Sequence, residues 1–199
     1  MLLAKGGEME ISMQKFEYEE TPLKDLKIIY SRFIEDERGY FLKSFEKESL
    51  KAIGVDIKVS EINESKSARG VLRGLHFQKK HPQAKLVRVI SGEIFDVGVD
   101  LREGSVTYGQ WYGVVLSETN RKMLYLPKGF AHGFLTLSEN AVITYTCEGE
   151  YIPEDDCGIC WNDEEIGVHW PISEDMKLVL SEKDRQWKTL KETFGHKEE

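Results

Sequence analysis

Cysteine is scarce: three residues in a chain of 199, an odd number that makes no disulfide framework. Cys157-Gly-Ile-Cys160 is formally a CxxC, with Cys147 and His169 on either side of it. It lacks the second close-spaced ligand pair of a structural zinc site, and no convincing helix follows to activate a thiol. Three small buried thiols are expected. The five prolines are scattered and mark no linker, so one domain is expected. Basic side chains number 27 against 35 acidic ones, a net charge of −8, which excludes the basic face of a general nucleic-acid or anionic-membrane binder. No uncharged apolar run approaches the ~18 residues that span a bilayer. The opening Met1-Leu-Leu-Ala4 is too short for a signal peptide, so a cytoplasmic protein is expected. Also absent are a Gly-rich phosphate loop, a Gly-x-Ser-x-Gly elbow and a His-Glu-x-x-His helix.

What is present is a succession of short strands rich in Val, Ile, Tyr and Phe, separated by Gly, Asn, Asp or Pro. Periodicity predicts strands over Lys27–Arg32, Tyr40–Phe45, Ile57–Asn63, Gly70–Gln78, Lys85–Ser91, Glu93–Asp100, Gln110–Ser117, Lys122–Pro127, Ala131–Leu137 and Ala141–Cys147. Helices are predicted over Phe45–Ile53 and Ser181–Phe194. Strands without alternating long helices imply an all-β sandwich or small barrel. A chain of this length buries about 70% of the surface its unfolded form exposes and needs no staples. Residues 1–12 read as a flexible extension and 13–199 as the domain. Lys5-Gly-Gly-Glu-Met9 is what a ribosome-binding site and start codon would encode if read in frame, so translation is expected to begin at Met9 or Met13.

Polar residues concentrate inside apolar strands. In Val71-Leu-Arg-Gly-Leu-His-Phe-Gln78 a strict period of two puts Arg73, Leu75 and Phe77 on one face. Leu72, Gly74, His76 and Gln78 fall on the other, and a bulge at Gly74 would change that count. Pro127-Lys-Gly-Phe-Ala-His132 is the Pro-x-Gly-x-x-His half of the cupin jelly-roll signature. Metal-binding cupins add His-x-His and a Glu, whereas Gly74-Leu-His76 offers one histidine, so a cupin-type jelly-roll barrel without metal is expected.

From about Leu23 to Asp184 the sequence resembles the dTDP-4-dehydrorhamnose 3,5-epimerases. The matching segments include Asp36-Glu-Arg-Gly39, Leu72-Arg-Gly-Leu-His-Phe-Gln78, Lys85-Leu-Val-Arg88, Gly92-Glu-Ile-Phe-Asp-Val97, Pro127-Lys-Gly-Phe-Ala-His-Gly-Phe134, Trp161-Asn-Asp163 and Leu180-Ser-Glu-Lys-Asp184. The resemblance implies a homodimeric, cofactor-independent cupin acting on a dTDP-linked 4-keto-6-deoxyhexose. Inverting a carbon beside a ketone needs a base on one face, an acid on the other and a positive group at the enolate. Under the resemblance His76 is the base, Asp184 fixes its tautomer, Lys85 stabilises the enolate and Tyr145 is the acid; Tyr151 competes for that last role. Arg38, Asn63, Arg73, His132 and Lys183 match substrate-contacting positions, with the guanidinium groups suited to phosphate. Arg88 receives no assignment. Lys43 stands where the family commonly has Glu, Glu61 where Gln is usual and Asp156 where Glu is usual, all three in the binding region. Lys43 and Glu61 are expected to form a compensating ion pair. A relative inverting one carbon only would have nearly the same sequence. A metal-dependent cupin and a non-catalytic sugar-binding cupin are the other readings.

Overall fold

The computed structural model describes residues 16–31 and 33–195. The expected extension over residues 1–12, and both expected start sites, lie outside the described residues. The strands are β1 (Glu17–Glu20), β2 (Lys27–Tyr30), β3 (Phe33–Asp36), β4 (Gly39–Leu42), β5 (Val59–Ala68), β6 (Leu72–Gln78), β7 (Ala84–Ser91), β8 (Glu93–Asp100), β9 (Trp111–Ser117), β10 (Lys122–Leu126), β11 (Phe130–Thr136), β12 (Asn140–Glu148) and β13 (Asp156–Gly158). Among the described residues α1 (Lys47–Ala52) lies between β4 and β5, and α2 (Glu182–Gln186) and α3 (Leu190–Phe194) follow the last strand.

Two antiparallel sheets face each other, ordered β1-β2-β10-β7-β12-β5 and β13-β6-β11-β8-β9, and the hairpin β3–β4 belongs to neither. This is the all-β, cupin-type sandwich that the strand spacing and the Pro-x-Gly-x-x-His corner predict. Period-two alternation sorts each strand's side chains into two apolar layers. Ile28, Val87, Val89, Leu124 and Ile143 of the larger sheet meet Ile94, Leu116, Phe130 and Phe134 of the smaller one between the sheets. Outward-facing Leu75, Phe77, Val97 and Val99 are covered by Ile159, Ile166 and Leu190 from the C-terminal segment. Ile29, Leu86 and Met123 on the opposite outer face are covered by Leu50 of α1 with Val55 and Ile57. Each such fully buried aliphatic side chain is worth roughly 1.5–3 kcal/mol.

The single terminal helix expected over Ser181–Phe194 is instead two. Ser181 caps α2 and Thr189 caps α3 with a full capping box, and Trp187 between them has extended backbone. Trp187 packs so closely on Gly158 that a Cβ there would lie 2.4 Å from the indole. Lys188 forms a bridge with Ile159, so sheet contacts outcompete helical continuity. β1, β3 and β13 have no counterpart in the sequence reading, because the four exposed residues of β1 and of β3 and the three residues of β13 are too short or too uniform to carry a clear alternation. Of the thiols expected to be buried, only Cys147 is; Cys157 and Cys160 are half-buried, and all three are free.

Candidate active site

The inward faces turn polar at one end of the sandwich. On the smaller sheet His76 and His132 are cross-strand partners, and Arg73 pairs with Phe134. Two β11 residues separate that span where β6 spends three, so β6 bulges at Gly74. The bulge overturns the strict alternation and puts Arg73 on the cavity face with His76. It requires glycine: Gly74 has φ +121°, and a Cβ there would lie 2.6 Å from Gly133 Cα. On the larger sheet Tyr145 pairs with Asn63 and Val87, while Cys147 pairs with Glu61 and Lys85. All of these except Val87 line one cavity of about 410 Å³, together with Ser65, Gln83 and Tyr151. Imidazole and phenol therefore reach the same space from opposite sheets.

His76 Nε2 is hydrogen-bonded to Asp184 Oδ1. Asp184 is 4% exposed, and it also accepts from Ser181 Oγ at 2.7 Å and from Trp187 Nε1 at 3.3 Å. Burial pushes the Asp184 carboxyl up, but the hydrogen bonds from His76 and Ser181 outweigh it and hold the group at about 2. An ionised Asp184 keeps the His76 proton on Nε2 and leaves Nδ1 as the basic atom. The Tyr145 phenol is pushed up to about 12, chiefly by burial, against the downward pull of the hydrogen bond with Ser65 at 2.8 Å. It stays protonated at neutral pH, as an acid must.

His132 is buried and hydrogen-bonded through Nε2 to Asp96 Oδ1 at 2.7 Å. Its ring meets Tyr145 edge-on, centroids 6.1 Å apart. Asp96 is fully buried, with Oδ2 unpartnered among the described residues. Sequence reasoning gave roles to neither Asp96 nor Ser65. An acid inside the apolar run Ile94-Phe-Asp-Val97 is itself the mark of a buried, paired carboxylate. Ser65 lies two residues beyond Asn63 on the same face of β5.

A second, more enclosed cavity of about 130 Å³ adjoins the first and shares His76, Lys85, Gln83 and Tyr151 with it. Asp156 lines it, accepting from Tyr151 Oη at 2.8 Å and from Lys183 Nζ at 2.5 Å. The loop carrying Tyr151 is held by Gln78, whose amide donates to Glu150 O at 2.9 Å and accepts from Ile152 N at 2.6 Å.

Three expected binding residues line neither cavity: Lys183 reaches only Asp156 at the rim of the second one, and Arg38 and Lys43 stand further apart. Arg38 is exposed at the β3–β4 turn, paired with Asp36 at 2.5 Å, and Lys43 follows that hairpin; neither lines the cavity. The compensating Lys43–Glu61 pair is not formed, because β4 pairs only with β3 while Glu61 lies on β5. Glu61 instead accepts from Gln83 Nε2 at 3.2 Å. The cysteines and His169 do not gather either: Cys147 faces the cavity, Cys157 packs on the outer face of the smaller sheet, and His169 lies against Trp111. Among the described residues no group of three His, Cys, Asp or Glu side chains is arranged to hold a metal ion, and no helix is long and apolar enough to cross a membrane.

The family model for dTDP-4-dehydrorhamnose 3,5-epimerase matches residues 20–192. A dTDP-4-dehydrorhamnose 3,5-epimerase of Methanothermobacter thermautotrophicus is 51% identical over 180 residues, covering 90% of this chain and 97% of that protein. The crystal structure of a dTDP-6-deoxy-D-glucose-3,5-epimerase from Legionella pneumophila in complex with dTDP-4-keto-L-rhamnose superposes with a TM-score of 0.84 at 43% identity, covering 87% of this chain and 92% of that one. A 3′-monoepimerase from Streptomyces bikiniensis in complex with dTDP-quinovose has a TM-score of 0.80 at 32% identity, covering 88% and 89%.

Proposed function

The chain belongs to the dTDP-4-dehydrorhamnose 3,5-epimerase family, and from that premise we propose how its cavity performs the reaction. The enzyme inverts carbons 3 and 5 of dTDP-4-dehydro-6-deoxy-D-glucose, giving dTDP-4-dehydro-L-rhamnose. The ketone at carbon 4 acidifies both neighbouring C–H bonds. His76 Nδ1 takes the proton from one face, and the resulting imidazolium is stabilised by the Asp184 carboxylate behind it. Electron density moves to the ketone oxygen, where the Lys85 ammonium offsets the enolate charge. Tyr145 returns a proton from the opposite face, and the carbon is inverted. The observation that carries this reading is the shared cavity into which His76 and Tyr145 project from facing sheets.

The other polar residues of the cavity, with Lys183 held beside it by Asp156, hold the sugar nucleotide. Arg73, with its Nε anchored on Ser67 at 3.1 Å, and Lys183 supply positive charge for the diphosphate. Asn63, Glu61 and His132 contact the sugar and base, and Asp156 sets the position of Lys183 and Tyr151. The working form is a homodimer. The β3–β4 hairpin exposes Phe33, Ile34, Tyr40 and Phe41 at 39%, 46%, 53% and 67%, an apolar surface that a second copy would cover. That arrangement lets Arg38 and Lys43 serve the other copy's substrate. Three free thiols accord with a cytoplasmic setting.

Incubation of the purified protein with dTDP-4-dehydro-6-deoxy-D-glucose, followed by NMR of the product, tests the reading. Inverted configuration at both carbons is expected. A product inverted only at carbon 3 would make the chain a monoepimerase, and unchanged substrate would make it a binding protein.

A further inference from the structure

The Tyr145 hydroxyl is hydrogen-bonded to Ser65 Oγ at 2.8 Å, with either atom able to donate. Ser65 lies on β5, the edge strand of the larger sheet, opposite Ile143 and diagonal to Tyr145. It is half-buried and lines the same water-accessible cavity as Tyr145. The same hydrogen bond is the strongest influence opposing the upward push of burial on the phenol.

Inverting two carbons of one bound ring sets a requirement that a single inversion does not. The acid spends its proton at the first carbon and must recover one before it can serve the second. We infer that Ser65 is a positioning residue that orients the Tyr145 hydroxyl and restores its proton between the two inversions, a role that rests on the 3,5-epimerase reading above. The proton balance closes. Tyr145 O–H breaks as the new C–H bond forms, leaving the electron pair on the phenolate oxygen. Ser65 O–H then passes its proton to that oxygen and takes one from water, since a hydroxyl donates and accepts at once. The water's hydroxide is neutralised by the proton that His76 removed from carbon and releases to solvent through its exposed edge. No oxidant, reductant or metal enters.

The test is single-turnover reaction in D2O, enzyme in excess, with early-time product sorted by mass spectrometry into singly and doubly deuterated species. Ser65→Ala is expected to lower the doubly-to-singly exchanged ratio about tenfold, the rate equivalent of one hydrogen bond to the phenolate. Its dTDP Kd and Tm should match the wild type, and Ser65→Thr, which keeps the hydroxyl, should restore the ratio. A wild-type ratio in Ser65→Ala would overturn the proposal. So would a Ser65→Thr variant as defective as Ser65→Ala, because that outcome assigns Ser65 to packing. The unmodified enzyme separates this failure from that of the underlying reading: if it exchanges only one carbon, the double inversion itself is lost and the role of Ser65 with it.

Discussion

Replacing Asp184 by Asn removes one charge with almost no change of shape, and the geometry sets the size of the effect. The carboxyl is displaced from 3.8 to about 2 by its donors, with burial opposing. That displacement corresponds to roughly 2 kcal/mol of preference for the ionised form at about 1.4 kcal/mol per pH unit. Because the group is 4% exposed, solvent screening takes little away. If most of this reaches the imidazolium, the electrostatic loss alone is about 30-fold. The amide can also donate to His76 Nε2, which moves the ring proton to Nδ1 and removes the base. The total loss in kcat/KM for Asp184→Asn should therefore lie between about 30-fold and about 1,000-fold, with His76→Ala losing more than ~100-fold. Binding of dTDP, measured calorimetrically, should be unchanged in both. The double variant decides the matter: residues acting as one unit are non-additive, so it should be no slower than His76→Ala. A double loss equal to the product of the single losses would refute the pairing of base and carboxylate.

Tyr145→Phe should retain deuterium exchange, because His76 can return a proton to the face it came from. Net inversion should fall by at least ~100-fold, as NMR of product and recovered substrate would show. Gly74→Ala should destabilise by roughly 1–3 kcal/mol in urea unfolding, since its Cβ would meet the Gly133 backbone at 2.6 Å. Acid should unfold the protein through its buried carboxylates. Asp100 is pushed up by burial but held at about 2 by Arg102, Ser105 and Thr107. Its folded value is below its unfolded one, so its contribution of roughly 2 kcal/mol is complete above pH ~4 and lost as pH falls towards 2. Asp100→Asn should flatten urea-derived stability across that window.

The sandwich was legible because its strands alternate cleanly: Ile28 faces in and Ile29 out, Val87 in and Leu86 out. The sequence motifs single out His76, Lys85, Tyr145, Arg73, Asn63, Glu61 and His132, and the cavity gathers all seven. What was illegible depends on contacts between distant segments. The side on which Arg73 lies follows from a bulge that exists because Gly74 meets Gly133. The break at Trp187 follows from its seat on Gly158. Ser65 gains its place from a neighbour 80 residues away, and Asp96 from one 36 residues away. The expected Lys43–Glu61 pair does not form because β4 pairs with β3 in a hairpin of its own, whereas β5 is the edge strand of the larger sheet.

The claim that the rest depends on is stepwise proton exchange at both carbons flanking the ketone. It is tested most directly by running the wild-type reaction in D2O and integrating the carbon-3 and carbon-5 proton signals of the product. Loss of both signals, with L configuration, is the predicted result. Inverted product that retains its original protons would contradict the account, because no solvent-exchanging base and acid would then have acted.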